Sequence, residues 1–532
     1  MKKKRILSVL SVILGCLLLF ACTTANNTQA TESGSAESAD PNVSAEAPES
    51  GFTVGEQPEG AGQPPQGMPE PPQGWSGEGQ PPAPPEGMGN PPQGEPPQDG
   101  PGGQPPQGEP PQGGPGGQPP QGGPGGPGGS AADVSYTAAT EITAAETQSG
   151  KTYSSTAANE NALLIATSDA VAIENPTVAK TGDSSGDACN FYGLNAGVLC
   201  KDGAQVTITG GTVETSASGA NGVFCYGGNG GRNGAAGDGT TVTISDTVIT
   251  TTGSGSGGIM TTGGGKTIAN NLTITTSGQS SAPIRTDRGG GTVLVDGGTY
   301  TSNGLGSPAI YSTADITVAN AVLTSNLSEG VVIEGKNSVK LENCTLTANN
   351  TQRNSNASFL DSIMLYQSMS GDADSGTAQF SMTGGSLLSK SGHVFHVTNT
   401  NAVIELEAVA ITNEDADGIL LSVCADGWSG AKNIATLRAS KQTLFGTILV
   451  GSDSALTLEL SDGSAFTGAI SGDITNAKGE TVSGEVGTVH VTLDGTSTWT
   501  LTADTYITSF SGDLSSIAAN GHALYVNGEK VL

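Results

Sequence analysis

The chain has 532 residues, of which 81 are glycine and 29 are proline, and its formal net charge is −30. So acidic a chain lacks the basic patches with which proteins hold nucleic acid or anionic lipid headgroups, which argues against both as partners. Charged residues make up only 13% of the sequence and the acids are dispersed, which favours a role in solubility.

The N-terminus has the layout of an export signal. Residues 2–5 are basic, and residues 6–20 are apolar but too short to span a bilayer, which takes about 20 residues. The segment ends in LLFAC, which resembles the lipobox of bacterial lipoprotein signal peptides, although Phe20 departs from the small residue usual there. The resemblance implies that residues 1–21 are removed and that Cys22 carries a lipid at the outer face of the cell membrane. An ordinary cleaved secretory signal is the alternative.

Residues 22–133 are predicted to be a disordered spacer. They begin with Ser, Ala, Glu and Asn and continue in runs such as PPQGEPPQDGPGG. Proline favours extended polyproline II segments, glycine interrupts them, and apolar residues are too few to offset the entropy of ordering. A PxxP ligand for a partner domain is the alternative use of this Pro/Gly/Gln-rich stalk.

After residue 133 the sequence repeats a unit of two short alternating strands joined by Gly, Asn or Asp. VTITGGTVET begins at Val206 and VTISDTVITT begins at Val242. A sharp corner between strands needs positive φ, which these joint residues tolerate. The predicted corner residues are Gly210, Asp246, Asn271, Gly297, Asn320, Asn343 and Gly384. Most intervals are 23 to 26 residues, and two longer ones of 36 and 41 indicate inserted loops, at residues 227–239 and 349–375.

A second run of strands keeps step with the first, as in GVFCY at Gly222, PIRTD at Pro283 and AIYST at Ala309. A fixed period with about three short strands indicates a solenoid. The pattern resembles the right-handed parallel β-helix of the pectin-lyase-like superfamily, to which many bacterial adhesin-like and carbohydrate-binding surface proteins belong. We therefore predict an all-β fold with coils of about 23–26 residues over residues 134–487, and terminal β coils with a cap over 488–532.

The stretch APIRTDRGGG holds two of the six arginines of the chain. Because side chains alternate along a strand, Ile284 and Thr286 are expected to face the core, and Arg285 and Asp287 to face solvent. Stacked coils would align such residues in two outward rows. The predicted rows are Leu199, Phe224, Met260, Arg285, Tyr311, Glu334 and Lys201, Tyr226, Thr262, Asp287, Thr313, Lys336.

These rows allow two interpretations. They are either a solvated network of ion pairs and stacked rings, or a face whose aromatic, guanidinium and carboxylate groups hold sugar rings and uronate carboxylates. On the second interpretation the ligand-binding residues are Phe224, Tyr226, Arg285, Asp287, Arg288, Tyr311, Glu334 and Lys336.

A pair of histidines and two acidic turns are further candidate sites. His393 and His396 are three apart on a predicted strand, so we expect them to face opposite sides and not to chelate one ion. Two oxygen-rich turns suggest calcium as the one candidate cofactor, with solvated acid as the alternative. Their candidate ligands are Asp372, Asp374, Asp415 and Asp417.

The cysteines of the repeating body leave their pairing open. Cys200 and Cys225 occupy equivalent inward positions, where stacked coils allow either a disulfide or a buried ladder of free thiols. After the signal an odd number remains, so at least one is unpaired. These five are Cys189, Cys200, Cys225, Cys344 and Cys424.

Together these features predict a lipid-anchored surface protein that binds a glycan or another surface ligand without catalysis, as adhesin-like proteins do. A polysaccharide lyase or glycoside hydrolase of the same superfamily is the alternative. Its lyases need acidic calcium ligands beside an Arg or Lys base, and RTDR offers a base and one acid without partner acids at matching positions. The Gly-His-Gly and Arg-x-Lys elements of polygalacturonases are absent from the sequence. A purely structural surface protein is the third possibility.

Overall fold

The structure is a computed structural model that describes residues 134–184, 186, 188–229, 236–428 and 433–532. The predicted signal with Cys22 and the predicted stalk lie outside the described residues. Within them the chain is a parallel β-helix, so the predicted fold class is confirmed.

One strand from each coil enters a parallel sheet of thirteen strands, here called the front sheet. Its strands are Ala138–Ile142, Asn161–Ala166, Val198–Lys201, Val223–Tyr226, Ile259–Thr262, Ile284–Thr286, Ile310–Ser312, Val331–Glu334, Asp361–Tyr366, His393–Thr398, Ile419–Val423, Thr447–Val450 and Ile470–Ser471. Many of the residues that face into the solenoid are β-branched, such as Ile259, Ile284 and Ile310, which stack in register.

Two strands of most coils form a second sheet of 22 strands, here called the back sheet. Its strands are Glu146–Ser149, Thr152–Ser155, Ala170–Glu174, Thr177–Lys180, Gln205–Thr209, Thr212–Thr215, Thr241–Ser245, Val248–Thr251, Gly265–Thr276, Gly291–Ser302, Asp315–Ala319, Val322–Ser325, Ser338–Glu342, Thr345–Ala348, Thr377–Thr383, Ser386–Ser389, Thr400–Glu407, Ala410–Asn413, Asn433–Ser440, Ser454–Ser461, Thr488–Leu493 and Ser509–Ser511. Buried and exposed residues alternate along them, as expected of a sheet with one face on the core.

The corners of the back sheet lie where the sequence predicts them. All seven predicted corner residues have positive φ, from 51° at Asn343 to 69° at Gly297. The Asn corners are stabilised by their neighbours, since the Asn271 side-chain amide donates to Asp246 Oδ1 at 2.7 Å. The left-handed conformation and the stacked polar side chain together explain the choice of residue.

One continuous apolar core fills the solenoid from Ile142 to Leu524. Cys200 and Cys225 pair in register within it, and both are buried without a disulfide between them. This arrangement corresponds to the ladder of buried thiols, which pack as small hydrophobic groups.

The C-terminal coils add three small sheets, and two short helices complete the fold. The strands are Thr443–Phe445, Ala465–Thr467, Thr498–Thr500 and Ile517–Ala518 in one sheet, Asp473–Thr475 with Thr481–Gly484 in the second, and Thr505–Ile507, Leu524–Val526 and Glu529–Lys530 in the third. The helices are Ala188–Tyr192 and the 3-10 turn Leu514–Ser516. Neither is long and apolar enough to cross a membrane, and the described ranges contain no helix that is.

Candidate functional site

The outward rows of the front sheet differ from the prediction in one place. Met260, Arg285 and Tyr311 stack as expected, but Tyr311 pairs with Val332. Ser312 pairs with Ile333, which sets Glu334 level with Thr313 in the neighbouring row. The predicted alignment of Glu334 with Arg285 was therefore wrong, because this coil returns to the front sheet two residues earlier than the back-sheet repeat suggests.

Phe224 and Tyr226 point away from the solenoid core but do not form a surface. They are 0% and 7% exposed, because an additional apolar layer covers them. The Tyr192 ring of helix Ala188–Tyr192 lies 5.8 Å from that of Tyr226, edge to face. The prediction that both residues face a ligand was therefore wrong. The chain itself covers these large side chains of the outward row, because burial of apolar area is favourable.

Arg285 is also covered rather than solvated. Its Nη2 lies 3.0 Å from Asp287 Oδ2, and its Nη1 donates to the Ser280 carbonyl at 3.0 Å. The Arg285 and Asp287 side chains are 11% and 10% exposed, against the expectation that both face solvent. Burial raises the pKa of the Asp287 carboxyl, and the Arg285 guanidinium opposes this rise.

Arg288 joins two segments that are distant in sequence. Its Nε and Nη2 donate to Asp372 Oδ1 at 2.9 and 2.5 Å, and its guanidinium lies 3.9 Å from the centre of the Phe191 ring. Phe191 belongs to helix Ala188–Tyr192, and Asp372 to the segment predicted as an insertion at residues 349–375. The two arginines of APIRTDRGGG are therefore concentrated in one turn because they fix the walls of a cleft above the front sheet.

Glu334 lies at the floor of this cleft. Its Oε2 accepts hydrogen bonds from the Tyr311 hydroxyl at 2.6 Å and the Tyr366 hydroxyl at 3.3 Å, and its Oε1 accepts one from Ser368. Glu334 is 1% exposed, and burial raises the pKa of its carboxyl although the bonds from Ser368 and Tyr311 oppose the rise. Burial and the nearby Glu334 also raise the pKa of both tyrosines, so the phenols remain donors.

Two adjoining hollows of about 330 and 700 Å³ make up the cleft. They share Tyr311, Tyr366 and Asp372 in their lining. We define the cleft by Arg285, Asp287, Tyr311, Glu329, Glu334, Tyr366, Asp372 and Trp428. The Trp428 ring packs edge to face on the Tyr366 ring with 4.9 Å between centres, and so presents an aromatic wall.

The other predicted site residues lie elsewhere. Lys336 Nζ pairs with Asp374 Oδ2 at 2.5 Å and lines a separate hollow of about 310 Å³. Asp415 accepts from the backbone amides of Gly392 and Asp417 at 2.7 and 3.0 Å, which are bonds of a turn.

Ion pairs and turn hydrogen bonds already engage the candidate calcium ligands Asp372, Asp374 and Asp415. Asp372 and Asp374 are each paired with a cation, Arg288 and Lys336. In the ranges that the structure describes, no group of three or more His, Cys, Asp or Glu is placed to hold a metal ion. Calcium binding stays a prediction.

His393 and His396 are on the same side of their strand, so the prediction of opposite sides was wrong. Val394 and Phe395 between them both belong to the core, which breaks the alternation. The Nδ1 atoms of both histidines lie 2.7 Å from the Ser422 hydroxyl.

Asp426 connects this histidine pair to the cleft. Its Oδ2 lies 3.4 Å from His396 Nε2, and its Oδ1 accepts from the Ser358 amide at 2.7 Å. Ser358 is in the inserted loop that walls the cleft, and Trp428 follows Asp426 by two residues. Burial tends to raise the pKa of Asp426, but the hydrogen bonds from His396, Ser358 and Gly427 bring it below the usual value. Asp426 and the two histidines therefore support the loop that contains Ser358 and the turn that contains Trp428.

Sequence analysis missed Tyr366 and Trp428. Tyr366 pairs with Glu334 in register and ends the run SIMLY, so the alternation could have found it once the row was aligned correctly. Trp428 lies in a turn, where no periodic signal exists. No protein-family model, no curated protein and no solved structure matches this chain.

Proposed function

We propose that the protein binds a polysaccharide in the cleft without catalysing a reaction. The observation that carries the proposal is the combination of Tyr311, Tyr366 and Trp428 with buried carboxyl groups in one walled hollow. Aromatic faces pack against the C–H faces of sugar rings, and carboxylates accept hydrogen bonds from sugar hydroxyls. A concavity in which a few polar groups converge beside aromatic rings is a usual form of a small-ligand site.

The surface location belongs to the same proposal. The lipobox-like LLFAC would place a lipid on Cys22, and residues 22–133 would hold the β-helix away from the membrane, as in an adhesin. These residues lie outside the described part of the chain. Cys22→Ser should move the protein from the membrane fraction to the medium; a variant that still sediments with membranes to the wild-type extent would rule out the anchor.

A glycan array with the purified protein, run with and without calcium, tests the binding. The best ligand is then titrated calorimetrically against Tyr366→Ala and Trp428→Ala. Each variant should bind about tenfold more weakly or worse, the loss of roughly 1.4 kcal/mol or more expected for a stacking contact. Tyr506→Ala is the matched control, because Tyr506 is 48% exposed and lies in a C-terminal strand outside the cleft. Equal losses in all three variants, or none, would overturn the proposal.

A second candidate function is glycoside hydrolysis or lyase chemistry in the same cleft. It is favoured by Glu334 and Asp287, whose carboxyl pKa values are both raised by burial, as in many acid catalysts. Incubation with polygalacturonate and with neutral polysaccharides would reveal new reducing ends or unsaturated products. Turnover that disappears in Glu334→Gln would replace the binding proposal by this one.

A further inference from the structure

The charges of the cleft are unbalanced. Among the described residues that line it, four carboxyl groups face a single basic side chain, Arg285. Asp287 pairs with Arg285, and Asp372 pairs with Arg288, which is not among the residues that line the cleft. The two remaining carboxyl groups belong to Glu329 and Glu334, which the described chain leaves without a cation.

The hydrogen bonds of these two glutamates do not replace a cation. Glu334 receives bonds from tyrosine and serine hydroxyls, and Glu329 Oε2 from the Ser328 hydroxyl. Neutral donors compensate the loss of water only in part, and burial therefore raises the pKa of both carboxyls. A positively charged group that entered the cleft would ionise them and be held by them.

The aromatic residues complement the same kind of ligand. Tyr311 and Tyr366 lie directly beside Glu334, and Trp428 packs on Tyr366. Ring faces attract cations through their quadrupole, most strongly where water is excluded. The guanidinium groups, by contrast, are already engaged by carboxylates, so they offer little to a uronate.

We propose that the cleft selects an amino sugar with a free, positively charged amine over neutral and anionic sugars. The inference rests on the proposed glycan binding and adds the class of ligand. The ammonium group would replace a hydroxyl donor on Glu334 at the floor of the cleft, and the sugar ring would lie against Tyr366 and Trp428. Uronate recognition by Arg285, which the sequence suggested, is replaced by recognition of the opposite charge.

Calorimetric titration with three oligosaccharides tests this: a glucosamine oligomer, its N-acetylated counterpart, and an oligogalacturonate of similar length. Measurements at physiological ionic strength, where screening acts over about 8 Å, suppress the general attraction of an acidic protein for cations. The glucosamine oligomer should bind about tenfold more tightly than the N-acetylated one, as expected for one charge-assisted contact in a desolvated site. The oligogalacturonate should bind more weakly than both.

Matched variants separate the cleft from the surface. Glu334→Gln keeps the shape and hydrogen-bonding oxygen but removes the charge, and should abolish most of the preference for the amine. Glu329→Gln does the same at the second carboxyl if the first variant is unstable. Glu342→Gln is the control, since Glu342 is a 41%-exposed carboxylate of the back sheet, and should leave the preference intact.

The outcomes distinguish the two proposals. Equal binding of the glucosamine and N-acetylglucosamine oligomers, or tighter binding of the oligogalacturonate, would overturn the charge preference and leave glycan binding in place. The preference for the amine could also survive Glu334→Gln and Glu329→Gln but fall in Glu342→Gln. That result would assign the preference to the protein surface and would overturn the proposed role of the cleft. Failure of all three ligands to bind would overturn this inference, whereas the glycan array decides the proposed function.

Discussion

Arg285→Ala tests whether the outward row of the front sheet is a solvated surface or a buried layer. The substitution removes the cation of the Arg285–Asp287 pair, whose side chains are 11% and 10% exposed. An exposed pair would contribute only about 0–1 kcal/mol to the free energy of unfolding. Loss of one partner from a buried pair costs roughly 3–5 kcal/mol, because the other charge remains desolvated. The structure places the pair in the second class.

The pH dependence of the loss has a definite sign. Burial already raises the pKa of Asp287 and Arg285 opposes it, so removal of Arg285 raises this pKa further. A carboxyl whose pKa in the folded state exceeds the unfolded value of about 3.9 binds more protons when folded, and stability then falls as pH rises. We therefore expect Arg285→Ala to be close to wild type near about pH 4 and to lose most stability near about pH 7.

Urea denaturation at the two pH values measures the loss of stability in Arg285→Ala. The same measurement is made on Asp287→Asn and on the double variant for comparison. The double variant Arg285→Ala/Asp287→Asn removes both charges of the pair, so it should be more stable at neutral pH than Arg285→Ala alone. A single-variant loss below about 1 kcal/mol at neutral pH, with no gain in the double variant, would show that the row is solvated.

Three further outcomes follow from local geometry. Asn271→Ala, at a corner with φ 52°, should lower the free energy of unfolding by about 1–2 kcal/mol, whereas Asn271→Gly should lower it less; equal losses would contradict the conformational reason. Burial raises the pKa of Cys225 to about 12 and that of Cys200 well above its usual value, so iodoacetamide should modify neither in the folded protein and both in urea, as peptide mass spectrometry would show. Burial and the neighbouring His396 lower the pKa of His393 to about 3, so His393 lowers the stability of the fold as pH falls below about 6.5. His393→Gln should therefore reduce the fall in the urea midpoint between neutral and acid pH. An equal fall in the variant and the wild type would exclude the effect.

The fold could be predicted because it depends on local rules. A corner needs positive φ, and Gly, Asn and Asp supply it at a low cost. Between corners, alternation of apolar and polar residues sets which side faces the core, as in Thr241–Ser245. Parallel stacking then follows from the recurring corners, and Val206, Val242 and Thr267 align although an insertion lengthens the first of these two intervals.

The cleft could be predicted only in part, because its walls come from distant segments. Arg285 contacts Asn190 across 95 residues, and Arg288 contacts Asp372 across 84. Alternation identified Arg285 and Tyr311 as outward, which was correct, but it has no means of showing that inserted segments cover them. The alignment of Glu334 failed for a related reason, since the front and back sheets of one coil need not advance by the same number of residues.

The outward row of the front sheet changes in character along the solenoid, and the cleft lies near its middle. At one end Phe224 and Met260 are apolar, and the additional layer with Tyr192 packs directly on them. Toward the other end His396 is covered by the Phe359 ring, with 4.9 Å between ring centres. Between these two ends, Arg285 and Tyr311 form hydrogen bonds with neighbours on the sheet and its loops. A segment that packed on this polar part of the row would bury little apolar area. The Arg288–Asp372 ion pair fixes the inserted loop beside helix Ala188–Tyr192, and residues of both segments line the cleft.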